Sequence, residues 1–221
     1  MQNNYLVPLL LSLKISSVAT LVVSVIGIPM GYFLAFQNFR FKTIIETFIL
    51  LPLVLPPTVV GYYLIFALGR DSFFGNLILH IFNFSFLFTW QGAALASTVV
   101  ALPLVVKTSQ SAFESIDVKF IEISYSLGYS KFETLFKTLL PLAKGNISGG
   151  IVLAFTRCLG EFGATLMVAG NIPESTATLP LTIYSLATAG LWREANTMAM
   201  VLAFTSLAFL IVARVFHKSA F

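Results

Sequence analysis

Five long apolar stretches, at about Ile15–Phe36, Ile44–Leu68, Gln91–Val106, Ile147–Val168 and Ala195–Phe216, leave this chain few ways to fold. A helix crossing the hydrocarbon core of a bilayer takes about 20 residues, and inside lipid every backbone polar group must be satisfied within the segment or in a closed barrel. With 221 residues, 57% hydrophobic, 10% charged and a mean hydropathy of +0.91, little is left for a soluble catalytic domain. The expectation is an all-α integral membrane protein: one transmembrane domain over 1–221, with about five spans. A further apolar piece, Leu179–Leu191, is too short to cross and reads as re-entrant or interfacial. Residues 72–90, rich in phenylalanine, suit a segment lying at the membrane surface, where aromatic rings collect.

The net charge of +4 does not come from a basic run, so a nucleic-acid partner is excluded and the charges are read as setting topology. Cytoplasmic loops carry the excess of lysine and arginine. Five spans place Arg40, Lys42, Lys107, Lys119, Lys131, Lys137, Lys144, Arg214 and Lys218 on one side, and only Arg70 and Arg193 on the other. The N-terminus is therefore expected outside and the C-terminus in the cytoplasm, with Lys14 snorkelling at the outer end of span one. The first apolar stretch outruns a signal-peptide core of about 7 to 15 residues and reads as a retained span. Cys158, the one cysteine, excludes an internal disulfide and a cysteine-based zinc site.

Residues 107–146 form the longest polar stretch and are expected on the cytoplasmic side. Asp117 can cap a helix reaching Leu127, and Gly128 suits the left-handed residue that ends it. Ser130 and Glu133 have capping-box spacing, and Phe132, Leu135, Phe136, Leu139 and Leu140 then form one apolar face until Pro141 ends the helix. Two short helices with a bend at Gly128 thus present an apolar face that packs either against the chain's own spans or against a cytoplasmic partner.

Glu122-Ile123-Ser124, then Gly128, then Leu140-Pro141 resembles the EAA loop of ABC-importer permeases, a Glu-Ala-Ala triplet followed by Gly and by Ile-x-Leu-Pro, with every spacing kept. The departures are Ile123 and Ser124 for the alanines and Thr138 for the isoleucine. The resemblance implies a type I importer fold in which Glu122, Ser124, Gly128, Leu140 and Pro141 dock the permease onto a separate ATP-hydrolysing subunit. The chain holds no Gly-x-x-x-x-Gly-Lys-Ser/Thr loop of its own. It is expected to carry no cofactor or metal, with ATP and Mg bound by the partner.

Within the fourth stretch, Arg157 and Glu161 stand four apart, on one face of a continuous helix. Intramembrane ions are costly and face a bundle interior or a pathway; this pair reads either as a local helix-stabilising pair or as part of the pathway. Pro52, Pro56 and Pro57 interrupt the hydrogen bonding of the second stretch, giving either packing kinks or a gate. Thr58, Thr165 and backbone N–H groups are weak, replaceable donors that a group passing through the bundle could meet. Gly27 and Gly31 have small-residue packing spacing.

The run from Phe155 through Gly160-Glu161-Phe162-Gly163 to Pro180, together with Leu51-Pro52-Leu53-Val54-Leu55-Pro56-Pro57-Thr58 in the second stretch, is similar to the permease subunits of bacterial molybdate importers. The resemblance covers about residues 10–216. It implies transport of molybdate, and of tungstate, by alternating access through a pathway formed with a second copy of the chain. Two ATPase subunits and an external oxyanion-binding protein complete the assembly, set in a bacterial cytoplasmic membrane. Pro56, Pro57, Thr58, Arg157, Glu161 and Thr165 are the candidate pathway residues. Sulfate/thiosulfate permeases are the alternative. An intramembrane enzyme would need a nucleophile and base or a metal cluster, and His80 and His217 are expected on opposite sides. A passive channel or an assembly scaffold leaves the EAA-type loop unexplained.

Overall fold

The computed structural model describes residues 6–218, with side chains described through Ile211. Met1–Tyr5 and residues 219–221 lie outside the described residues, as do the side chains of Arg214 and Lys218 from the charge count and that of His217. All regular structure among the described residues is helical. The helices are α1 (Leu6–Phe36), α2 (Lys42–Val54), α3 (Pro57–Leu68), α4 (Phe73–Phe82), α5 (Trp90–Glu114) and α6 (Val118–Ser126). Then come α7 (Lys131–Thr134), a π-helical turn (Leu135–Leu139) and α8 (Leu140–Leu159), which follow one another without a break. The chain continues with α9 (Gly163–Ala169), α10 (Leu179–Thr188) and α11 (Trp192–Lys218).

The core is the pairing of α1 with α5, and its contacts give the direction of each helix. Ile15 packs with Ala93 and Ala94, Ala19 and Val23 with Ala101 and Val105, and the Tyr32 ring meets Phe113 at 5.5 Å between centroids. The two helices therefore run parallel. Small residues allow the approach: a Cβ on Gly31 would stand 2.7 Å from Ser109 Cβ and 2.8 Å from Gln110 N. Helix α8 runs the other way, with Ala143 and Ile147 beside Phe113 and Ala154 and Cys158 beside Ala101.

Between the parallel α1 and α5 the chain must return across the membrane, and α2 and α3 make that crossing. They are bent by 114°. Glu46 near the start of α2 bonds Gln110 near the end of α5 at 2.8 Å, whereas Val60 of α3 packs on Ala96 and Val100 toward the start of α5. Among the described residues four helices are long and apolar enough to cross, and the broken pair, counted as one span, brings the number to the five expected. The break falls at Pro56-Pro57 alone, where Pro57 takes the first helical position that suits a residue without an N–H. Pro52 stays inside α2 and breaks nothing.

Three boundaries differ from the sequence reading. Span one begins at Leu6, which puts Lys14 within a helix, its Nζ lying 3.7 Å over the Trp90 ring at the start of α5. The polar stretch 107–146 is not one loop, because α5 continues to Glu114 and the helix that resumes at Lys131 runs unbroken to Leu159. Pro141 therefore does not end a helix. Its ring would press on the carbonyl four residues back in a regular α-helix, but the turn before it is widened, with Leu140 N–H reaching Leu135 O, and the proline is absorbed.

Packing of α3 on α9 is about as close. A Cβ on Gly61 would stand 2.7 Å from Met167 Cβ and 2.9 Å from Ala164 Cα. Gly61→Val is expected to destabilise the protein by about 2–3 kcal/mol through forced separation of these helices. Gly149→Ala, at a position with nothing within 4 Å, is expected to be neutral. Thermal unfolding of both variants in detergent checks this; equal melting temperatures would contradict the close packing.

Candidate functional site

The expected continuous fourth span is interrupted. Helix α8 ends at Leu159, and Gly160–Phe162 leave the helical path before α9 begins at Gly163. Arg157 and Glu161 therefore do not share one helical face, since Glu161 lies past the end of α8, yet Arg157 Nη1 still reaches Glu161 Oε2 at 2.5 Å. The reason is a second demand on the carboxylate. Glu161 Oε1 accepts the Ala164 N–H at 2.9 Å, so one buried side chain closes the cation of α8 and an otherwise orphaned amide of α9. Sequence alone gave no sign of this break, because Gly160 and Gly163 read equally well as packing glycines in a continuous span.

The second broken helix meets the first at this point. A Cβ on Gly163 would stand 3.0 Å from both Thr58 N and Thr58 Cγ2 and 3.2 Å from Pro57 Cβ. Thr58 packs beside Gly163 and Val60 beside Ala164 and Val168, so α3 and α9 run side by side with their N-terminal ends together. Val59 and Val60 direct their amides to Pro56 O at 2.9 and 3.2 Å. Thr58, second in its helix, has no intrahelical acceptor for its own amide.

The structure thus brings Pro56, Pro57, Thr58, Arg157 and Glu161 to one level of the bundle, but it presents them differently. Pro56 and Thr58 are exposed on the surface of the chain, Pro57 is half-buried, and Arg157 keeps 32% of its side chain accessible. Thr165 is buried and its hydroxyl donates to Phe162 O at 2.9 Å, so it braces the turn and offers nothing to the open face. The start of α3 carries the positive end of a helix dipole, while the Arg157 charge is balanced by Glu161. An anion here meets partial charges and a hydroxyl, not an unbalanced fixed cation.

The second candidate region is the bracket formed by α6 and α7. Asp117 Oδ1 accepts the Lys119 amide at 2.9 Å, and Gly128 takes a φ of 82°, as the sequence predicts. Ser130 and Glu133 form the capping box, and Glu133 also pairs with Lys137 at 2.9 Å. The expected single apolar face divides. Leu139 is buried and Leu135 and Leu140 pack beside it against Phe113, while Phe132 and Phe136 stay exposed at 71% and 53%. With Val118, Ile123, Tyr125 and Leu127 they form an apolar surface. Of the motif residues, Glu122 lies exposed on α6, Ser124 is buried under it, Leu140 is inside the packing and Pro141 marks the joint with α8.

One cluster has no counterpart in the sequence reading. Gln110, 3% exposed, donates to Glu46 at 2.8 Å and Glu114 at 2.9 Å and accepts from Lys107 at 3.1 Å. It is the polar tie between α2, which buries no residue, and the body of the molecule. Glu46 and Gln110 are 64 positions apart, and no local pattern links them.

Comparison with known proteins agrees with this architecture. The family described as binding-protein-dependent transport system inner membrane component matches residues 27–219. A putative molybdenum transport system permease protein of Bacillus subtilis, YvgM, is 42% identical over 182 residues, covering 82% of this chain and 80% of that one. The molybdenum transport system permease protein ModB of Escherichia coli is 42% identical over 177 residues, covering 80% and 77%. Among solved structures, the MetNI methionine ABC transporter in an inward-facing form superposes with a TM-score of 0.77 over 97% of this chain and 94% of its own, at 17% identity. A bacterial ABC transporter that imports the polysaccharide alginate gives 0.72 over 95% and 79%, at 16% identity. These two structures share the fold.

Proposed function

Because this chain belongs to the family of binding-protein-dependent transport system inner membrane components, we propose that it is the permease subunit of an ATP-driven importer carrying molybdate, and tungstate as a near-isosteric tetrahedral oxyanion. The observation that carries the substrate is the match to permeases named for molybdenum transport over about four-fifths of the chain. The meeting of two helix starts beside an internally balanced Arg157–Glu161 pair supports it, since a dianion in transit needs attraction without capture.

In this reading the whole chain is one permease domain embedded in the lipid of a bacterial cytoplasmic membrane, N-terminus outside and C-terminus in the cytoplasm. A second copy closes the pathway over the exposed Pro56 and Thr58, with Pro57, Arg157, Glu161 and Thr165 behind them. Nucleotide chemistry belongs to two partner ATPases, which bind ATP and Mg; the permease itself needs no cofactor and no metal. The apolar surface of α6 and α7, set by Glu122, Ser124, Gly128, Leu140 and Pro141, docks those ATPases. Their closure draws the two brackets together and turns the pathway outward to an external oxyanion-binding protein. Hydrolysis returns it to the cytoplasmic side.

The test is uptake of labelled molybdate into vesicles holding this chain with its ATPase and binding protein. The expected result is ATP-dependent uptake blocked by excess tungstate and indifferent to sulfate. Block by sulfate would move the chain to the sulfate/thiosulfate permeases, and uptake without ATP would overturn the importer reading.

A further inference from the structure

The bend at Gly128 is unsupported by packing, because a side chain there would meet nothing within 4 Å. Backbone bonds from Gly128 N–H to Tyr125 O at 2.9 Å and from Tyr129 N–H to Ser124 O at 3.0 Å close the bend, yet a glycine joint with open space beside it can still flex as a hinge and absorb motion instead of passing it on. Something must hold the angle. Apolar contact from Ile121 anchors the first half of α6 on the Phe113–Leu139 cluster. The second half leaves that cluster, and Ile123, Tyr125 and Leu127 point outward with 56%, 48% and 68% exposure.

The side-chain tie from the second half of α6 to the long helix is a hydrogen bond between Ser124 Oγ and Thr138 Oγ1, 2.8 Å long and spanning 14 positions. Ser124 is 3% exposed and also bonds Phe120 O at 2.8 Å, so its hydroxyl is fixed on both sides. The Ser124 carbonyl in turn accepts the Tyr129 N–H at 3.0 Å, and Lys137 Nζ lies 4.6 Å from the centre of the Tyr129 ring. Thr138 stands within the widened turn at 135–139, the joint between the bracket and the membrane-crossing part of the helix. These are also two of the three positions at which the loop departs from the importer motif, and in this fold the two departures touch.

We propose that Ser124 and Thr138 are positioning residues for the coupling step. Their hydrogen bond is a strut across the open hinge, so that a push on α6 moves the long helix instead of folding the bracket at Gly128. The inference rests on the importer reading above. It adds that this loop transmits through a polar strut, and that the two hydroxyls work as one unit.

The experiment measures molybdate taken up per ATP hydrolysed, in vesicles with the partner ATPase and binding protein, for Ser124→Ala, Thr138→Val, Thr138→Ser and the Ser124→Ala/Thr138→Val pair. Each hydroxyl deletion is expected to lower the ratio about threefold. The double variant is expected to lower it no further, since both changes remove one bond. Thr138→Ser, which keeps the hydroxyl, is expected to hold the ratio of the parent. A parental ratio in Thr138→Val, or additive losses in the double variant, would overturn the strut. Absence of ATP-dependent uptake in the parent protein would instead overturn the function beneath it, and the two failures cannot be confused.

Discussion

Arg157→Met is expected to be the most damaging single substitution in the membrane-embedded part of the protein. It leaves Glu161, whose side chain is 1% exposed, as a buried carboxylate with the Ala164 amide as its remaining side-chain partner. Removing one member of a buried pair costs about 3–5 kcal/mol, because the carboxylate left behind is desolvated without its counter-charge. The reverse change is milder. Glu161→Gln leaves no buried charge and keeps one acceptor oxygen, which can serve the Ala164 N–H, while Arg157, with 32% of its side chain accessible, can turn outward away from the new NH2 group. The expected order of loss in thermal stability and in uptake is Arg157→Met, then Glu161→Gln, then Glu174→Gln, the last on an exposed turn with no part in the pair. Arg157→Met combined with Glu161→Leu is expected to recover melting temperature, because no charge is left uncompensated, yet not uptake. Recovery of both would reduce the pair to a purely structural element.

Gly128→Pro is expected to lower uptake by roughly tenfold or more while the protein reaches the membrane in normal amount. Proline fixes φ near −65°, and the bend requires 82°. The same change deletes the N–H that bonds Tyr125 O at 2.9 Å. Asparagine, which tolerates the left-handed region, is expected to transport nearly as well as the parent. Alanine is expected to fall between, at a strain of about 1–2 kcal/mol. ATP hydrolysis and uptake measured together distinguish uncoupling from misfolding: an uncoupled variant keeps hydrolysis and loses transport. Normal uptake by Gly128→Pro would contradict the coupling role of the bend.

What the sequence reveals and what it hides divide by the range of the interaction. The Asp117 cap, the bend at Gly128 and the Ser130–Glu133 box are local, each set by residues within four positions, and all are present as read. The five apolar stretches are equally legible, since spanning length and hydrophobicity are properties of a segment. Pro141 misleads because a proline stops a helix only if the preceding turn is regular, and the widened turn at 135–139 is not. The break after Leu159 is hidden for the opposite reason: nothing there looks like a breaker, and it exists because Glu161 is held by Arg157 on one side and Ala164 on the other. The meeting of Thr58 with Gly163 and of Glu46 with Gln110 depends on the direction of whole helices. Those directions follow from packing that no window of sequence contains.

The parallel pairing of α1 with α5 bears on how the chain is made. Helix α1 gains its partners at different times: α5 packs on it from residue 90 onward, whereas Ser12 receives its bond from the amide of Leu179, 167 positions later. Until Leu179 is made, α1 lies in the lipid with Ser12 lacking that partner, even once α5 has packed beside it. It can wait because Ser16 and Ser24 donate their hydroxyls to the carbonyls of Ser12 and Thr20 one turn back, at 2.7 and 2.8 Å. Insertion and assembly are thus separable in time, and the bundle closes only when the α9–α10 connection arrives to complete the α1 surface.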